Sequence, residues 1–244
     1  MTDPAEIPVR DPFWDYQDLA IFLGLGLPLL LVSLLLLRLA TPLVHALSLS
    51  KEASALVFQF VWYALWFDAL FLLLRVRYRR PFWPALGWTL PRSGIAFAIL
   101  GGPVLAFSTG AIGLAIGAPR IEIEPLRGLL GSRLSLVVLV VGVAILGPFF
   151  EELAFRGFLM PLFVRSLGAA VGILFTALLF ALLHGPEYRW SWRHVLLILA
   201  AGAVFGWVRY RTGSTLASAA LHATYNMTFL AAFVAQSGPL PTKW

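Results

Sequence analysis

The chain contains no cysteine, which removes disulfides, thiolate metal sites and cysteine nucleophiles together and leaves the redox compartment undetermined. Charge is almost as scarce. Asp, Glu, Lys and Arg make up 12% of 244 residues, about half the share of an average soluble domain, while apolar residues reach 60%. With 18 basic and 12 acidic residues the chain cannot cover the surface of a 26.8 kDa protein in water, so its solvent is lipid. Disorder and coiled coil are excluded by the same balance. The net charge of +6 does not point to nucleic acid, because the basic residues stand in ones and twos between apolar runs, as loop anchors do. A cleaved signal peptide fits poorly. Asp3, Glu6, Asp11, Asp15 and Asp18, with Arg10 as the one base, occupy the place of a positive leader.

Apolar runs at about 19–44, 54–75, 94–117, 134–150, 169–184, 194–208 and 214–235 predict an all-α, polytopic bundle of about seven spans. Pro81–Trp88 offers an eighth, re-entrant or interfacial element. The fourth run is expected to continue as helix to about Met160, where Pro161 ends or kinks it. The fifth and sixth runs are short for spans. Arg75, Arg77, Arg79, Arg80 and Arg92 form the largest basic cluster, which places that loop, and with it the N-terminus, in the cytoplasm. Trp83, Trp88, Trp190 and Trp192 fit an interfacial belt, and Gly117–Arg133, with two prolines, reads as the clearest linker.

Ionisable groups at membrane depth are costly and are functional-site candidates by default. The C-terminal half holds Glu151, Glu152, Arg156, His184, His222 and Asn226, the last being the sole asparagine. Glu152 and Arg156 are four apart on a helix and can pair, whereas Glu151 lies about 100° round the helix from Glu152 and stays free. A hairpin turning at Ser166–Gly168 puts His184 at the depth of Glu151. His222 and Asn226, again four apart, share one helix face. Each has a bland reading alone: an intramembrane pair, a helix cap beside Gly185–Pro186, interhelical glue. Together they can form one cavity. Asp68, His45 and His194 lack such company and read as structural or interfacial.

Hydrolysis of a peptide bond needs a base to activate water, a proton carrier for the leaving amine and donors for the oxyanion. Glu151 suits the base and His184 its partner. His222 and Asn226 suit the oxyanion, with Glu152–Arg156 fixing the helix. Gly147–Pro148 should loosen the helix and free carbonyls near the site. Other intramembrane chemistries lack their parts: there is no H-E-x-x-H, and Asp68 has no second aspartate. Ser214 and Ser218, eight and four residues before His222, allow a serine dyad, but nothing beside them resembles an oxyanion loop.

At these residues the sequence resembles the CAAX protease and bacteriocin-processing (CPBP) family, which includes the CAAX prenyl endopeptidases and Abi proteins. Its E-E-x-x-x-R motif matches Glu151 to Arg156 within GPFFEELAFRGFL, its F-x-x-x-H matches Phe180 to His184, and its H-x-x-x-N matches His222 to Asn226 after RTGSTLASAALH. The resemblance covers about Leu134 to Leu230 and implies an all-helical intramembrane endopeptidase. Water would be activated at the residues matching Glu151 and His184, and the oxyanion bound at those matching His222 and Asn226. The family has also been described as zinc proteases, which would make Glu151, His184 and His222 ligands. That role and the oxyanion role of His222 exclude each other, and the reading favoured here needs no metal.

The chain thus divides into 1–133 with three spans and a linker, a CPBP-like catalytic core at 134–235, and a tail at 236–244. The expected partners are a peptide or protein substrate, lipidated or membrane-associated, and the bilayer of the cell membrane. Two other readings stay open: a non-catalytic immunity or scaffold protein, and a transporter in which Glu151 and the histidines relay protons.

Overall fold

A computed structural model describes residues 11–91, 94–119 and 128–237, and among them every regular element is helical. Arg92 and residues 120–127 of the expected linker, like Asp3 and Glu6, lie outside the described residues. Helix α1 (Tyr16–Leu39) begins at a capping box: the Asp15 carboxylate accepts from the Gln17 and Asp18 amides, and Asp18 accepts from the Asp15 amide. The run expected to reach residue 44 stops at Leu39. Pro42 then starts the short α2 (Thr41–Ala46), because a proline at the first helical positions needs no hydrogen-bond donor. Helix α3 (Lys51–Tyr78) is capped by Ser50, and α4 (Phe82–Ala85) is the extra element foreseen at Pro81–Trp88. Helix α5 (Ile95–Ala115) follows.

Helix α6 (Arg133–Leu167) corrects the boundary expected near Met160: it runs through both Pro148 and Pro161. The chain widens into π turns at Gly142–Leu146 and Leu153–Leu159, just ahead of each proline. A wider turn makes room for the pyrrolidine ring and tolerates the missing amide, so neither proline ends the helix. Gly168, at φ +80°, turns the chain into α7 (Ala169–Leu183), which places the hairpin where the sequence put it. A 3-10 turn (Gly185–Tyr188) leads to α8 (Trp192–Thr212) and α9 (Thr215–Gln236).

Helices α1, α3, α5, α6 and α8 are long and apolar enough to cross a membrane. On those criteria the expected count of seven falls to five among the described residues. Helix α7 has 15 residues, about 22 Å of rise against a core of roughly 30 Å. Helix α9 has 22 residues but is diluted by His222, Tyr225 and Asn226.

Two packing modes hold the bundle together. On one side lies an aromatic core: Trp14, Phe22, Phe67 and Phe82, with Leu70, Leu74 and Leu86, close on Phe150, Leu153, Phe158 and Leu162. Helices α1 and α3 are antiparallel, and the indoles of Trp62 and Trp66 donate to the Gly26 and Phe22 carbonyls at 3.0 and 2.6 Å. Between α5 and α9 a small residue allows close approach. A Cβ at Gly102 of α5 would stand 2.6 Å from the Tyr225 amide of α9, so only glycine lets these helices touch there.

The segment before α1 is part of this core. Trp14 is 1% exposed, its indole N–H donates to the Phe158 carbonyl at 3.1 Å, and its ring stacks on Phe158. Arg165 donates to the Pro12 and Trp14 carbonyls. Trp14→Ala is therefore expected to cost about 3–5 kcal/mol by opening a cavity behind the second π turn. Thermal unfolding in detergent measures it, and an unchanged midpoint would contradict this packing account.

Candidate functional site

The two glutamates sit on the turn of α6 between its π segments. Glu152 and Arg156 form the expected pair, Nη1 to Oε1 at 2.9 Å, with both residues 0% exposed. The other guanidinium nitrogen, Nη2, donates to the Gly202 carbonyl at 2.9 Å, and the cation lies over the rings of Phe180 and Phe205 at 4.6 and 5.3 Å. Gly202 of α8 leaves room here, since a Cβ would crowd Nη2 at 3.2 Å and Phe180 at 3.3 Å.

Glu152 has more partners than the arginine. The imidazole of His222 stands with Nδ1 2.9 Å from Glu152 Oε1, and the Ser218 hydroxyl donates to Oε2 at 2.6 Å. A carboxylate accepts, so Nδ1 carries the proton in that bond. Nε2 of the same ring then faces Glu151, 3.8 Å from Oε2. The ring is held flat against Phe205, 4.5 Å between centroids. Glu151 keeps 21% of its side chain exposed, so the carboxylate that the spacing left unpaired is also the one open to a substrate.

The remaining two predicted residues join through intermediaries. His184 caps the C-terminus of α7, and its Nδ1 lies 2.8 Å from the Phe180 carbonyl, which fixes Nδ1 as the donor and leaves Nε2 as the open nitrogen. The cap foreseen for His184 and a place near the site are thus both present. Phe180 is the shared neighbour, with ring centroids 4.4 Å from His184 and 5.8 Å from His222. Asn226 donates through Nδ2 to the Val143 carbonyl at 2.9 Å. Val143 lies inside the first π turn, so a carbonyl near the site is available where Gly147–Pro148 suggested one. The second N–H of the Asn226 amide is left for another acceptor.

Sequence reasoning missed three residues and misassigned a fourth. Glu187, on the 3-10 turn three residues after His184, feels the charges of both His184 and Glu151. Burial of its carboxyl pushes its pKa above the ordinary carboxylate value, with His184 opposing and Glu151 adding to the rise. Tyr63 of α3 interacts electrostatically with Glu151 and Glu187 and accepts from Gln59 Nε2 at 3.1 Å. The turn at Gly185–Pro186 was a signal for Glu187. Nothing in the sequence marks Tyr63 and Gln59, which lie in the half without motifs. Ser218 was considered only as a nucleophile, yet its hydroxyl is spent on Glu152. Ser214 caps Ala217 and donates to the Thr89 carbonyl. Trp88, expected in the interfacial belt, packs edge-on against Phe149, two residues before Glu151, with 5.0 Å between centroids, whereas Trp83, Trp190 and Trp192 are exposed. His194 stacks on Tyr188, and its Nδ1 lies 3.0 Å from the Ser191 hydroxyl.

For a metal, the donors proposed from sequence were Glu151, His184 and His222. Among the described residues no three His, Cys, Asp or Glu side chains stand close enough together to hold an ion. The bond of His222 Nδ1 to Glu152 leaves Nε2, on the Glu151 side, as the ring nitrogen that an ion would use, but Glu151, His184 and His222 as they stand are not gathered round one point.

Residues 133–228 match the family described as type II CAAX prenyl endopeptidase, Rce1-like. Neither the curated proteins nor the solved structures contain a match to the chain. The matched stretch runs from the start of α6 into α9, and so contains both glutamates, the arginine, both histidines and Asn226.

Proposed function

The chain carries an Rce1-like CAAX endopeptidase domain, which supports its place in the CPBP family of CAAX proteases, and from this premise we propose that it is an intramembrane endopeptidase working by glutamate-activated water. One observation carries the reading: an open carboxylate, Glu151, stands beside an imidazole whose far nitrogen is fixed by a second, fully buried carboxylate. Fixed, desolvated groups of this kind stabilise developing charge without reorganising during the reaction.

In this proposal Glu151 takes a proton from water as its oxygen attacks the scissile carbonyl. The C–N bond then breaks, and the proton passes to the leaving amine with His184 Nε2 as the partner that holds and moves it. The free N–H of Asn226 donates to the oxyanion. His222 Nε2 donates there only when the ring carries both protons, and carboxylates flank it on both sides. The substrate is a peptide or protein chain at the membrane, lipidated or not, and the N-terminus lies on the cytoplasmic side of the cell membrane.

The proposal carries no step through a metal. Cleavage of a membrane-tethered peptide by purified protein in liposomes is expected to persist under chelation by phenanthroline, and to fall by about 10²–10⁴ in His184→Ala with unchanged thermal unfolding. Loss of activity on chelation, restored by zinc, would replace this mechanism with a metal-dependent one. Full activity in His184→Ala would remove His184 from it.

A further inference from the structure

The site has a structural requirement that its reacting groups do not meet by themselves. His222 presents Nε2 to Glu151 only while Nδ1 is held by Glu152, so the Glu152 carboxylate plane must not turn. Arg156 does not lock it. Its Nη1 touches only Oε1, and its Nη2 is committed to the Gly202 carbonyl, so the arginine makes one contact where a bidentate fork would make two. His222 also binds Oε1. With all of that on one oxygen, the carboxylate could rotate about its last bond and drop the imidazole.

The second point of attachment is Ser218 Oγ, 2.6 Å from Oε2. Ser218 is 0% exposed and stands one helical turn before His222 on α9, so one helix grips both ends of this carboxylate. Its oxygen is also 2.9 Å from the Phe205 carbonyl on α8, the residue whose ring backs His222. One hydroxyl proton faces two acceptors. The nearer, charged acceptor takes the larger share, and the carbonyl takes the weaker part of a three-centre bond.

We propose that Ser218 is a positioning residue of the hydrolytic site: it fixes the carboxylate plane of Glu152, and through Glu152 the orientation and Nδ1 protonation of His222. This rests on the endopeptidase reading for its effect on turnover, but the hold on His222 is a property of the folded protein. It also gives the serine its role in place of the nucleophilic one.

Ser218→Ala removes a single oxygen and leaves the helix free to form. Its kcat is expected to fall about ten- to a hundredfold, the usual effect of removing a residue that orients an active group, with KM within about twofold of wild type. Imidazole nitrogen NMR of protein labelled with ¹⁵N-histidine, with His222 identified by its disappearance in His222→Gln, gives a readout that needs no activity. The wild type is expected to show His222 protonated at Nδ1, and Ser218→Ala to shift both of its nitrogen resonances. Unchanged kcat, or unmoved His222 resonances, overturns the proposal. If the wild type cleaves nothing, the endopeptidase reading fails separately, and the resonances still decide whether Ser218 holds the histidine.

Discussion

Glu151→Gln is expected to lower peptide cleavage by about 10²–10⁴, the range a positioned general base contributes, while leaving thermal unfolding near the wild-type midpoint. The two outcomes are linked by the residue's surroundings. Glu151 is the partly exposed carboxylate of the pair, and its nearest ionisable contact is His222 Nε2 at 3.8 Å, too long for a strong hydrogen bond. Glutamine has the same shape and can keep that contact, so the fold loses little. It cannot take a proton from water, so the chemistry loses most. Turnover of a tethered peptide and unfolding of the same preparation test both halves. A glutamine variant that cleaves at the wild-type rate removes the base from the mechanism.

Arg156→Met is expected to act in the opposite sense, through stability. It would strand Glu152, which is fully buried on the same helix, and breaking a buried pair by removing one partner costs about 3–5 kcal/mol. His222 and Ser218 remain on the carboxylate but do not replace a full positive charge. The Gly202 carbonyl loses its donor as well. Removing both charges, in Glu152→Gln with Arg156→Met, should be less harmful than the single change, because no uncompensated ion is left behind. Thermal or detergent-denaturant unfolding of the two variants decides it. A single variant as stable as wild type would show that the pair contributes nothing to the fold, and activity should be lost in the double variant, which no longer has the carboxylate that holds His222.

Part of this was legible in the sequence for simple reasons. The Glu152–Arg156 pair follows from a spacing of four, and the α6–α7 hairpin follows from a glycine at the turn. Of the two outcomes expected at Pro161, the ending of α6 fails, because the rule that proline stops a helix assumes an α-helical turn before it. Here each proline is preceded by a π turn, which a one-dimensional pattern does not reveal. The partner of His222 was illegible for a different reason. Whether its Nδ1 meets Glu152 depends on the rotation of α9 about its own axis, which is set by contacts of Gly102 and Phe205 far away in the chain. The polar residues that mark α9 as part of the site are also the ones that keep it below the apolarity of a span.

The central claim is that a peptide bond is hydrolysed at Glu151. The most direct measurement reconstitutes the wild type and Glu151→Gln in liposomes with membrane-tethered peptides and reads new peptide termini by mass spectrometry. The expected result is a discrete set of termini that forms with the wild type and is absent with the variant. The contradicting result is the same termini with both proteins, or none with the wild type while the vesicles conduct protons in a Glu151-dependent way.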